Sequence, residues 1–255
     1  MALQAKQVLV TVMTYPSPSR KYVEIVCCAG IDRGSGSWIR LYPVPYRSLP
    51  SPNRFKKYDI IEVRCEKASR DSRIESYKVD QDSIKVIRHL DTNDNWRARR
   101  DIVLPTASSS FCEILKRVRD NKSLGMFKPC DIGFFWKKSP PADEQRRSAC
   151  YTQLSFFDTQ KHAVEKVPFD FHYSFRCDAL SDCPGHDLII VDWEMGQSYR
   201  RWRHDYHSQE VLFEKIREMW LHRICSEKND IYFYVGNMQR FRDQFMVLGA
   251  FYPKK

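Results

Sequence analysis

Three residues have the type and spacing to hold a metal ion. Cys177, Cys183 and His186 are spaced C-x5-C-x2-H, with Pro184-Gly185 forcing a turn just before the histidine. Zinc takes soft sulfur and nitrogen ligands that converge to about 2.0–2.3 Å, and a short turn lets one stretch of chain supply two of them. The spacing is not a standard finger spacing. The candidates for a fourth ligand are His172, Cys150 and Cys130. Two other readings stand beside zinc: cysteines and histidine packed separately in a turn, and an iron–sulfur cluster drawn from the nine cysteines.

The apolar run after His186 leads to Asp192-Trp193-Glu194. Carboxylates at a strand end open into a crevice and suit hard cations. His186, Asp192 and Glu194 therefore define an alternative, a metal-dependent hydrolase acting as a nuclease or nucleotide phosphodiesterase. The plainer reading makes Asp192 the cap of a helix that starts at Trp193, with Glu194 in its first turn. Known catalytic patterns are missing. Asp192-Trp-Glu194 lacks the lysine of an acid-x-Lys nuclease site, and Cys65-Glu66-Lys67 sets the acid one residue too close. No Walker loop, G-x-G-x-x-G, G-x-S-x-G or zinc-deaminase pattern occurs.

A binding surface is suggested by Trp38-Ile-Arg40-Leu-Tyr42-Pro-Val-Pro-Tyr46-Arg47. On a strand, Ile39 and Leu41 point to one side and Trp38, Arg40 and Tyr42 to the other. With the aliphatics inward, an outward aromatic–basic–aromatic row can stack bases and hold phosphates. With the aromatics inward, the row is core. Arg54, Lys56 and Lys57 extend the basic character, as do Arg70 and Arg73, and Arg97, Arg99 and Arg100. Arg200, Arg201 and Arg203 are interleaved with Tyr199 and Trp202. Near the end, Gly236-Asn237 precedes Arg240 and Arg242, an arrangement that can hold a phosphate or simply form a turn.

These groups need a scaffold. Residues 6–90 read as short strands, with a hairpin turn at Asp32-Arg33-Gly34-Ser35-Gly36. Ser110-Phe-Cys-Glu113 is a capping box that opens a helix. Phe127–Trp136, Tyr151–Phe157, Phe169–Arg176 and Leu188–Asp192 read as strands. Met195, Tyr199, Trp202 and Tyr206 form one helical stripe, and a further helix is expected from Ser208, its cap, to about Cys225. Asp230–Val235 and Phe245–Tyr252 close the chain as strands. The expected fold is α+β: a β-rich small barrel or rolled sheet at the N-terminus, followed by a mixed sheet with two or three helices. Residues 139–147 read as a linker between a basic part, 1–138, and an α+β part, 148–255.

The charge supports that division. Residues 1–140 hold 26 Lys+Arg against 15 Asp+Glu, a net +11, and the remainder is −1 of the total +10. Such asymmetry points to a polyanion. We therefore expect a nucleic-acid-binding protein, of DNA or RNA, forming one component of a larger system. Its less charged second part is suited to contacts with other protein subunits. A sensor for a nucleotide or modified base is the third reading. No run approaches the roughly 18 apolar residues of a membrane span, and no signal peptide is evident at Met1–Val12. The expected location is cytoplasmic, or nucleoid or nuclear, and not secreted.

Overall fold

A computed structural model describes residues 3–19, 21–140, 165, 167–177 and 182–255. The fold is α+β and mostly sheet, as expected. The first part contributes β1 (Gln4–Met13), β2 (Ser17–Ser19), β3 (Val23–Asp32), β4 (Trp38–Val44), β5 (Asp59–Lys67), β6 (Ser76–Val79) and β7 (Lys85–His89). Five of these close a barrel in the order β1-β3-β4-β6-β5, with β5 returning to pair with β1. Only the β4–β6 step is parallel.

The apolar run Val8–Met13 is buried throughout because β1 is covered on both faces. Val8, Val10 and Met13 point into the barrel beside Ile39, Leu41 and Phe55. Leu9 and Val12 point outward into a second cluster with Leu124, Tyr234 and Phe251. A bulge between Val10 and Val12 resets the alternation. Opposite it stands Gly30, where a Cβ would lie 2.0 Å from the Leu9 carbonyl oxygen, so no larger residue fits.

The second part begins with β8 (Ala107–Ser108), β9 (Leu124–Phe127) and β10 (Pro129–Lys138). It continues with β11 (Phe169–Cys177), β12 (His186–Ile189), β13 (Tyr232–Asn237) and β14 (Phe245–Phe251). One sheet runs β10-β11-β12 and another β14-β13-β9-β8. Strands β8, β9 and β10, which the linker reading at 139–147 left in the first part, therefore pair in sheets with the second. Divided at residue 106, the charge excess is +7 before and +3 after, a weaker asymmetry.

Four α-helices lie among the described residues: Asn93–Val103, Phe111–Lys116, Trp193–Trp202 and Gln209–Arg217. The last runs on as a π-helical stretch, Glu218–Arg223, over the span expected to be one helix. Ser208 is its cap by position, without a side-chain bond. Ser110 caps in full, its hydroxyl accepting from the Glu113 N–H at 3.0 Å. The expected strand Tyr151–Phe157, Cys150 and most of the 139–147 linker lie outside the described residues. No helix among the described residues is long and apolar enough to cross a membrane.

Candidate metal centre and central cleft

Cys177, at the end of β11, and His186, at the start of β12, are brought together by the antiparallel pairing of those strands. The turn before His186 needs Gly185, whose φ is +83°. The fourth member is Cys112, from the first turn of the helix Ser110 caps. The four ligand atoms of Cys112, Cys177, Cys183 and His186 all lie within 4.8 Å of one another. Cys177 Sγ is 3.8 Å from Cys112 Sγ and 3.7 Å from His186 Nε2. His186 Nε2 is also 3.3 Å from Cys112 Sγ and 3.2 Å from Cys183 Sγ. Tetrahedral ligands at ordinary zinc distances sit about 3.8 Å apart for two sulfurs and about 3.6 Å for sulfur and nitrogen. The donor set thus has the chemistry and the spacing of a four-ligand metal site.

The surroundings, apart from any metal charge, act differently on the individual ligands. Burial lowers the His186 pKa, favouring the neutral imidazole that can donate a lone pair. Burial pushes the Cys112 thiol up to about 12, and the neighbouring Cys177 and Cys183 add to the rise. Burial also works upward at Cys183, but hydrogen bonds from the Gly185 and Cys177 backbone N–H groups, with those from the Cys177 and Cys112 thiols, bring the net shift down. The His186 ring is held edge-on to Phe111 at 4.8 Å.

The other fourth-ligand candidates are elsewhere. His172 Nδ1 is 2.6 Å from Asp187 Oδ1, and its ring stacks on Phe135. Cys130 lies outside the cluster. Nor do His186, Asp192 and Glu194 gather as a hydrolase site, since the only metal-sized group among the described residues is the Cys3His cluster. Asp192 is 2% exposed and both its oxygens accept from Lys57 Nζ, at 2.6 and 2.7 Å. Asp192 also caps the Trp193–Trp202 helix, accepting from the Glu194 N–H at 2.9 Å.

That pairing corrects the reading of Lys57 as a nucleic-acid contact. Its side chain is 11% exposed and its charge is spent on Asp192 and Glu194. The row Trp38, Arg40, Tyr42 is likewise not a free outer face, because the second part covers most of it. Trp38 is half-buried, packed edge-on to Tyr234 at 5.8 Å. Arg40 is 3% exposed and donates to Ser123 Oγ at 3.0 Å. Only Tyr42 stays exposed. Trp38→Ala is accordingly expected to destabilise the protein by about 2 kcal/mol, less than for a fully buried aromatic because Trp38 is only half-buried. Strand affinity per folded molecule should be unchanged, and urea melts read beside binding curves check both.

Among the remaining basic candidates, Arg47 pairs with Glu24 at 2.5 Å, and Arg54 donates to the Leu49 and Arg47 carbonyls. Lys56 and Arg240 are exposed. Arg242 is half-buried and donates to Ser72 Oγ and Asn121 Oδ1.

Between barrel and second part lies a cleft of about 520 Å³. Arg40, Tyr42 and Arg73 line it from the barrel, Asn237 from the end of β13, and Arg240 and Phe241 from the β13–β14 connection. Tyr42, Met238 and Phe241, three of the exposed large apolar side chains, stand along it. Neither Cys112 nor Phe241 was marked by spacing: Cys112 is 65 residues from Cys177, and Phe241 lies in a turn.

The fold and site define a closed barrel joined to an α+β part that carries a Cys3His cluster. The chain belongs to the family described as Domain of unknown function (DUF8757), whose model matches residues 107–255 and so spans all four ligands. Residues 4–105 match a second family, Domain of unknown function (DUF8758). No curated protein matches the chain.

Proposed function

We propose that the protein binds nucleic acid and that its Cys3His cluster holds a structural zinc ion. The observation that carries the binding proposal is the central cleft. Exposed aromatic and apolar side chains (Tyr42, Met238, Phe241) line it together with the exposed Arg240, in a chain of net charge +10. Aromatic faces beside cations are the pairing that single-stranded nucleic acid requires. Zinc is favoured by three soft sulfur donors and one imidazole. A structural role is favoured because four protein ligands leave no position for a substrate or water.

Salt tests the binding proposal. Affinity for a single-stranded oligonucleotide should fall linearly on a log–log plot against salt, because bound phosphates release counterions. Lys56→Glu with Arg240→Glu should weaken binding to all sequences and reduce the slope by about 1 for each phosphate that is no longer neutralised. Affinity that ignores salt, or no binding at low salt, rejects the proposal.

A further inference from the structure

We infer that the open edge of β7 takes up an extended, acidic segment of a partner protein as an added strand, an inference independent of the nucleic-acid reading above. A strand in a folded domain ordinarily buries at least one of its two faces. β7 buries neither: all five residues of Lys85–His89 are exposed, with Val86 at 37% and Ile87 at 50%.

The topology explains the opening. β6 and β7 lie end to end along one edge of β5, with β1 on the other edge. β4 pairs with β6 through Arg40 and Leu41, and then carries Pro43 and Pro45, which have no N–H to give to a ladder. Among the described residues β5 is the one strand that pairs with β7. The turn Ser51–Asn53 ties to the start of the free edge, where Asn53 Nδ2 donates to the Ile84 carbonyl at 2.8 Å. In an antiparallel ladder every second residue turns its N–H and C=O away from the neighbouring strand. Among the described residues none of those in β7 has a backbone bond outside the ladder to β5.

The side chains say which strand fits. Residues directly opposite in a ladder share a face. Lys85 stands opposite Glu62 and Arg88 opposite Ile60, so the bulge at Ile87 brings both cations to one face, and Val86, opposite Ile61, lies on the other. Neither Lys85 nor Arg88 has a carboxylate partner among the described residues. An acidic strand supplies the missing charges on one face and covers the aliphatics on the other. A second copy of this chain does not, since two β7 strands bring cations together and no acid. Lysine on an edge repels unselected strands, and an acidic partner turns that repulsion into selectivity. Val86 and Ile87 offer no ring on which a base could stack.

The test uses the full chain and a labelled peptide of about eight residues, within the ordinary length of a strand, in which glutamate alternates with valine. At low salt it should bind saturably by fluorescence anisotropy and slow hydrogen exchange across residues 85–89. Lysine in place of glutamate should abolish binding. Methylation of alternate peptide nitrogens keeps the charge but removes ladder bonds, and should weaken binding by about 10-fold or more. Lys85→Glu with Arg88→Glu should leave the protein folded, because both side chains are exposed. It should weaken the glutamate peptide by about 10-fold and let the lysine peptide bind. Equal binding of the methylated peptide, or protection that spares residues 85–89, overturns strand addition. Failure of the glutamate peptide to bind overturns the acidic partner. A single-stranded oligonucleotide that loses as much affinity as the peptide in the double variant assigns the edge to nucleic acid and overturns the proposal as well.

Discussion

Replacing Cys112 with serine is expected to abolish the proposed zinc binding and to lower the melting temperature by well over 10 °C, or to prevent folding altogether. The helix Phe111–Lys116, β11 and β12 meet at the cluster, and its cysteines belong to the main core of the second part. Zinc binding to such a donor set is worth about 10–16 kcal/mol in small zinc domains, against a typical total stability of about 5–15 kcal/mol. Losing even part of that is decisive. Cys183→Ser should behave in the same way, while Cys130→Ser, outside the cluster, should keep both metal and stability. Elemental analysis of the purified protein, with thermal melts before and after chelation, makes the measurement. A wild type that carries no metal after metal-replete expression rejects the site.

Lys57→Met should cost about 3–5 kcal/mol, because it strands a buried carboxylate without its partner. Asp192 shows why. Burial raises its pKa to about 6, the nearby Lys57 ammonium opposes that rise, and Glu194 adds to it. Without Lys57 the Asp192 carboxyl rises further, so the folded variant binds a proton more tightly than the unfolded chain does. Such a group adds stability below the unfolded carboxylate pKa and loses it as pH rises through the folded value. The deficit should therefore be largest near pH 7 and shrink toward pH 4. Adding Asp192→Asn should recover part of the loss, since Asn keeps an acceptor for the Glu194 N–H. Urea midpoints for wild type, single and double variants at two pH values decide. A deficit under about 1 kcal/mol at both would mean that the pair contributes as little as an exposed one.

The parts of this structure that depend on neighbouring residues were legible in the chain. Strand alternation located the barrel, Ser-Phe-Cys-Glu located a helix start, and Cys177, Cys183 and His186 announced themselves by their turn. What depends on distant partners was not. Cys112 enters the Cys3His cluster only because β8 and β9 join the sheet of the second part. The alternation rule set Trp38 and Arg40 on one face and Ile39 and Leu41 on the other, and left open which of the two faced inward. It could not say that the second part would cover the face of Trp38 and Arg40, because the cover comes from Ser123 and Tyr234. Asp192 was recognisable as a cap from its neighbours, yet its ion pair spans 135 residues. The helix Asn93–Val103 escaped for a local reason. Asp94, Asn95 and Trp96 hold left-handed backbone angles, and Trp96 is kept there by packing on Phe251 and Tyr252. No helix-start pattern anticipates that.

The burial of β1 on both faces bears on how freely the two family segments can be separated. The match boundary at residues 105–107 falls between sheets, but Leu9, Val12, Ala29 and Ile60 of the first segment share a core with Leu124, Tyr234 and Phe251 of the second. A barrel cut free there would present an aliphatic stripe to water, a surface prone to self-association. The two segments thus match separate families while sharing one hydrophobic core. One cannot be exchanged for a foreign counterpart without redesigning the seam between them.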